Sequence, residues 1–299
     1  MIAFTQRPAV KNTLADQIRA AFDFSVDKFP LTGPEGMATG VYGLFRSDTM
    51  EFIGNGSVTS RYTPHTVDDV IAPVEAVQHV FGGCQAECHF RDGHHVVLSP
   101  SKKYRRDVYG TQDNVFPRLI VRAGFDGCFQ VTMGYYRDLC RNMAMLHQVR
   151  GTSVKFRHTA SLHSNIDDYV EQLQGLRSGW DSLGEIVDRM ESQTVMLDSF
   201  LDRVYGTPDD DANQRSKTIH RNRTRSIMRR VMRERQKSGR GEMNSNFDVT
   251  IWEAFNAVQG YTQHDATRRG NPTNYDRIVM AADDAAVKKA EAISLEICA

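Results

Sequence analysis

The apolar positions follow two different periods along the chain. Short runs with strand-like alternation dominate the first half, and helical spacing dominates the second. Ala15–Phe24 predicts a short helix, and residues 30–34, bounded by Pro30 and Pro34, a loop. Val41–Arg46 and Phe52–Ile53 predict a hairpin around Ser47-Asp48-Thr49. Thr66 followed by Asp69 and a Val70/Val74/Val77/Val80 spacing predicts a capped helix that Gly82-Gly83 ends. Two further hairpins follow, Gln85–Phe90 with Val96–Leu98 about Asp92-Gly93, and Leu119–Ala123 with Cys128–Met133 about Asp126-Gly127. Tyr136–Gln148 reads as a helix through Leu139, Met143 and Leu146.

From Ile166 to Val204 the period is seven. One series is Ile166, Leu173, Trp180, Val187, Thr194 and Leu201; the other is Tyr169, Leu176, Leu183, Met190, Leu197 and Val204. Such a repeat predicts long helix. Gly175, Gly179 and Gly184 favour a break into two antiparallel helices over one rod. Beyond the acidic turn Thr207–Asp211 come a basic helix Thr218–Lys237, a helix Phe247–Tyr261, a loop Thr267–Asn274 and a terminal helix Tyr275–Ile297. The expected fold class is α+β. An antiparallel β-sheet of hairpins, with helices packed on one face, precedes a mainly helical C-terminal half. The division falls near residue 160, with the sheet and its basic face in 1–160 and the helical region in 161–299.

Composition changes this picture little until charge is read by segment. The 299 residues carry 37 basic and 37 acidic side chains, and 40% of residues are hydrophobic. No apolar run approaches the length of a membrane span, and five cysteines make a poor disulfide scaffold. A protein of the cytoplasm is expected. Neutrality would argue against a nucleic-acid partner, yet the charges lie in blocks. Residues 91–158 are net +7, 164–212 net −9 and 215–240 net +10.

Two basic features carry the chemistry. Lys102, Lys103, Arg105 and Arg106 surround Tyr104, and Arg118, Arg122, Arg137, Arg141 and Arg157 follow in the same block. Strand alternation points Arg118, Ile120 and Arg122 to one side, leaving Leu119, Val121 and Ala123 for the core. A sheet with one basic face suits a phosphate backbone, with Tyr104 placed to stack on a base. On the basic helix, Arg221, Arg225 and Arg229 recur every four residues, and Ile227, Met228, Val231 and Met232 supply an apolar side. The opposing reading docks this helix against the acidic 164–212 segment.

Other motifs are weaker. Cys84, Cys88, His89 and His94 invite zinc, although in a strand the two cysteines stand about 13 Å apart. Asp68-Asp69 and Asp167-Asp168 sit at helix starts, where caps favour them. Cys140 reads as core, and His158 and His264 as structural. No phosphate-binding glycine loop or nucleophile elbow is present.

Several segments together resemble one family. Val41–Thr49, Ile53-Gly54 and Arg61-Tyr62-Thr63-Pro64 match the opening of the phage- and plasmid-associated domain-of-unknown-function family nine-three-two. Leu139–Met143, Arg157-His158-Thr159 before the Ile166 helix, and Trp252–Val258 with Tyr261 and His264 match its later segments in order. Met143-Ala144 departs from a Thr/Gly-Leu pair. The resemblance implies a mobile-element setting and no activity. Element order and the +7 block are also similar to RecT/Erf-type single-strand annealing proteins. Together these readings predict a non-enzymatic, oligomeric protein that binds single-stranded DNA without cofactor or membrane. An interaction protein acting on phage or host machinery, and a metal-dependent enzyme on nucleic acid, are the alternatives.

Overall fold

The computed structural model describes residues 13–299, save 92, 109–112, 128, 145, 147–151, 174 and 268–271. Helix α1 (Leu14–Ala21) starts at a Thr13/Asp16 capping box, in which side chain and backbone satisfy each other's orphan groups. Strands β1 (Val26–Thr32), β2 (Ala38–Arg46) and β3 (Phe52–Val58) form a three-stranded antiparallel sheet. Of the loop expected over residues 30–34, Pro30–Thr32 is strand and the turn begins only at Gly33. Proline is tolerated there because β1 is an edge, where a missing N–H breaks no ladder on the outer side.

Helix α2 (Val67–Phe81) begins at the Thr66/Asp69 capping box and ends at Gly82, as its pattern predicts. The main sheet follows with strand order β10-β8-β7-β5-β4. Its strands are β4 (Gln85–Phe90), β5 (Gly93–Ser99), β7 (Asn114–Gly124), β8 (Phe129–Arg137) and β10 (Thr152–Phe156). The short β6 (Arg106–Asp107) lies beside β7. The short β9 (Asn142–Ala144) takes the part of the β8 edge that β10 leaves open.

The helix expected over Tyr136–Gln148 is therefore corrected: β8 continues to Arg137, turns, and returns as β9. Leu139, Met143 and Leu146 imitate a helical period. Backbone pairing of Met143 with Tyr136 decides for strand. Asp92 of the first expected tip and Cys128, which follows the second tip Asp126-Gly127, lie outside the described residues, as do most residues at the end of the 136–148 segment.

The heptad series forms three helices, α3 (Leu162–Leu173), α4 (Leu176–Ser192) and α5 (Leu197–Tyr205). The chain breaks near Gly175, as expected. It breaks again at β11 (Thr194–Met196), which pairs with β12 (Asp248–Thr250). Thr194, the one polar position of the series, is exposed, and the side chain of Leu176 is outside the described residues. The other ten positions are buried. Gly184 stays helical because Arg106 crosses it; a Cβ there would lie 2.2 Å from Arg106 Nη1.

Helices α6 (Gln214–Lys237), α7 (Ile251–Gly260), α8 (Asn274–Ala281) and α9 (Ala285–Ile297) complete the chain. Helix α7 runs on into a π-turn over Tyr261–Asp265. The expected terminal helix is two, because Asp284 stops one register and caps the next. The fold is α+β, with hairpin strands in the N-terminal part and helices in the C-terminal half. One face of the main sheet, including Leu119, Val121 and Val131, packs into the large core with α2, α4 and α7. The other buries Phe116, Ile120, Tyr136 and Met143 under Ile278 and Val279 of α8. The large core runs from Ala15 to Cys298 and so crosses the boundary expected near 160. Among the described residues, no helix is long and apolar enough to cross a membrane.

Candidate nucleic-acid interface

The cations of the 91–158 block do not form one open face. Tyr104 is buried, packed edge-on against Phe81, and its hydroxyl accepts a 2.7 Å hydrogen bond from Arg177 Nη1. The base-stacking role expected of it is corrected: its ring faces the core. Lys103 is exposed beside it, and the Lys102 side chain lies outside the described residues. Arg105 pairs with Asp138 at 2.9 Å, and Arg106 lies over the Trp180 ring.

Arg118 and Arg122 do share a side, as alternation predicts, but α8 lies on it. Arg118 is buried with its guanidinium 3.6 Å from the centroid of Tyr136. Arg122 pairs with Asp126 and with Asp276 of α8. The strand pattern fixes the side and carries no signal of a helix arriving some 150 residues later. Arg157 is exposed at the end of β10.

Arg137 is the most buried of the set. Its guanidinium pairs with Asp113 at 2.6 Å and with Glu234 of α6 at 2.7 Å. Glu234 also faces Arg230, which holds Asp265 of the π-turn through two 2.9 Å hydrogen bonds. Asp113, Arg137, Glu234, Arg230 and Asp265 thus form one ionic chain from sheet to helix to turn. Every member answers another's charge, without which burial would be prohibitive.

This chain fixes the face that α6 turns inward. Ile227, Arg230, Val231 and Glu234 are buried on it. On the outer side Arg221, Arg225 and Arg229 are exposed, and none makes an ion pair among the described residues. Arg233 extends the row by another four residues and is also exposed. The same i, i+4 spacing in the sequence identifies it, though the expected set stops at Arg229. A rise of about 6 Å and a turn of about 40° per four residues make the row a ridge that winds about 120° round the helix between Arg221 and Arg233.

The acidic segment touches only the flank of α6. His220 meets Asp202 at 3.5 Å, Arg223 stacks on Tyr205, and Lys217 reaches the Asp210 carbonyl. Glu191 binds Arg240 beyond the helix end. The −9 block therefore leaves the ridge uncovered. A concavity of about 460 Å³ opens beside its C-terminal end, where Arg141 from the β8–β9 turn faces Arg233 and Lys237.

A second feature is built by other elements. A cleft of about 700 Å³ between α1, β1 and the start of α2 reaches His65 and His94. His65 Nε2 and His94 Nδ1 stand 2.8 Å apart. Neither His65 Nδ1 nor His94 Nε2 has a partner among the described residues. Burial pushes His94 down to about 4 and holds His65 well below the usual imidazole value. His158 lies against His65 with carbonyls of Thr63 and Gly124 at its two nitrogens. The four side chains that invite zinc are not grouped: His94 Nδ1 meets His65, while Cys84 and Cys88 pack at the core edge. Among the described residues, no group of three or more His, Cys, Asp or Glu side chains is placed to hold a metal ion.

Fold and site together define an α+β protein whose exposed cations concentrate on one helix. The chain belongs to the family described as Domain of unknown function (DUF932), which it matches over residues 55–293. No match is found among curated proteins or among solved structures. The likeness to RecT/Erf-type annealing proteins rests on element order and the +7 block, and the last helix of that order is strand.

Proposed function

We propose that the protein binds single-stranded DNA along the outer ridge of α6, as an annealing protein of phage or mobile-element recombination. One observation supports this above the others: Arg221, Arg225, Arg229 and Arg233 are exposed and make no ion pair among the described residues, while every carboxylate of the ionic chain beneath them is answered from inside. Annealing asks for neutralised, accessible strands and no cofactor. The working site is the host cytoplasm. A homo-oligomer lines up ridges from several copies, and exposed Ile219 and Met232 on α6 give it contact surface. The reading of α6 as a docking helix for the acidic segment has little support, since only its flank is covered.

A gel-shift titration of a labelled oligonucleotide against salt tests the proposal. Four phosphate contacts give a slope of about −3 in log affinity against log salt, or about 50-fold between 50 and 200 mM. The triple variant Arg221→Glu/Arg225→Glu/Arg229→Glu loses at least tenfold in affinity and keeps its circular dichroism. Equal affinity in that variant, or a flat salt response, refutes the ridge as the binding surface.

A further inference from the structure

The concavity at the end of the ridge differs from the ridge in shape and in charge. Its wall is built from two distant segments. Arg141 comes from the β8–β9 turn, and Arg233 and Lys237 from the last two turns of α6. Cys140 and Glu234 lie deeper. Arg141 sits at φ 57°, in the left-handed region that a non-glycine residue rarely adopts. A long side chain held there marks a position where the surroundings dictate the backbone.

The carboxylates at this site are all engaged. Asp138 pairs with Arg105, and Glu234 is divided between Arg137 and Arg230. Arg141, Arg233 and Lys237 are exposed and make no ion pair among the described residues. The ionic chain below, with three carboxylates and two guanidiniums, is net −1. Three free cations over it leave the pocket at net +2. A backbone phosphodiester carries one negative charge, whereas a phosphate monoester carries about −1.5 to −2 at pH 7. A recess also admits an end more readily than the middle of a polymer.

We infer that this pocket takes a phosphate monoester, specifically the terminal phosphate of a DNA strand whose backbone lies on the ridge. Arg141 closes over the phosphate from the sheet side, and Arg233 and Lys237 hold it from the helix side. The inference rests on the nucleic-acid reading of α6 for its source of phosphate, and on the pocket alone for its chemistry. It assigns polarity to the ridge: the strand end is at the Lys237 end and the chain runs toward Arg221.

The test compares oligonucleotides of one sequence carrying a 5′-phosphate, a 3′-phosphate or neither. One phosphorylated end binds about tenfold more tightly than the unphosphorylated strand. Arg141→Asn, which keeps a residue tolerant of the left-handed backbone, abolishes that preference and leaves the unphosphorylated strand unchanged; Lys237→Gln does the same. Binding of the phosphorylated strand alone supports the pocket and removes the ridge. Equal affinity for all three ends overturns the pocket, whatever the ridge does. Displacement of the phosphorylated strand by equimolar deoxyadenosine monophosphate overturns the strand end as the source, because a free mononucleotide then suffices.

Discussion

Lowering the pH from 7 to 4 charges imidazoles that the fold keeps neutral. His94 is 2% exposed and lies among Phe22, Phe24, Phe90 and Phe125, with the Arg46 guanidinium over the Phe24 ring. Nothing anionic meets its ring, so burial pushes it down to about 4 from 6.5. Above pH 6.5 both folded and unfolded chains hold this group neutral, and stability is independent of it. Below 6.5 the unfolded chain takes up the proton and the folded chain does not, so stability falls until about pH 4. At about 1.4 kcal/mol per unit, His94 alone removes about 3 kcal/mol, a large part of a typical 5–15 kcal/mol. His65, shifted the same way, adds to the loss. Urea unfolding followed by fluorescence at half-unit steps from pH 7.5 to 4 measures the slope. His94→Gln cannot titrate; it lowers stability at pH 7 and flattens the slope by up to one proton. His95, His158 and His264 are shifted in the same direction and remain in both proteins, so the difference between the curves isolates the His65–His94 pair. Parallel curves for the two proteins would show that the buried pair is not what acid attacks.

Two substitutions check the burial of residues that charge pattern alone places at the surface. Tyr104→Phe removes the hydroxyl that accepts from Arg177 and costs about 1 kcal/mol in thermal unfolding, while oligonucleotide affinity stays the same; a binding loss without destabilisation would return Tyr104 to the interface. Arg137→Ala strands Asp113 and Glu234 without their shared cation and costs about 3–5 kcal/mol, read as a fall in melting temperature or loss of folded protein. A variant as stable as the parent would mean the ionic chain contributes nothing.

Local signals carried most of the elements. The capping box at Thr66, the glycines that end its helix and the heptad burial pattern act within a few residues, and there the structure follows the sequence, although the heptad stretch forms three helices where two were expected. The errors fall where a distant partner outweighs the local pattern. Pro30 reads as loop until β2 supplies a ladder on one side only. Met143 reads as helical until β8 pairs with it. The candidate site divides in the same way. On α6, spacing and apolar side together predict which arginines face out, because one helix carries both halves of the evidence. On β7, alternation groups Arg118 with Arg122, and what decides their exposure is α8, encoded far downstream. Arg137 shows the limit most clearly: a basic residue at a strand end is the most deeply buried cation described, through carboxylates 24 positions before it and 97 after.

That ionic chain bears on modularity. It threads residue 113 of the sheet, 137 at its rim, 230 and 234 on the basic helix, and 265 beyond α7. Cut anywhere between, it leaves an unanswered charge in an apolar interior. The basic helix is thus no transferable cassette. A recombination event that swapped it would have to carry the strand and the turn as well, so the stretch from 113 to 265 is inherited whole or not at all.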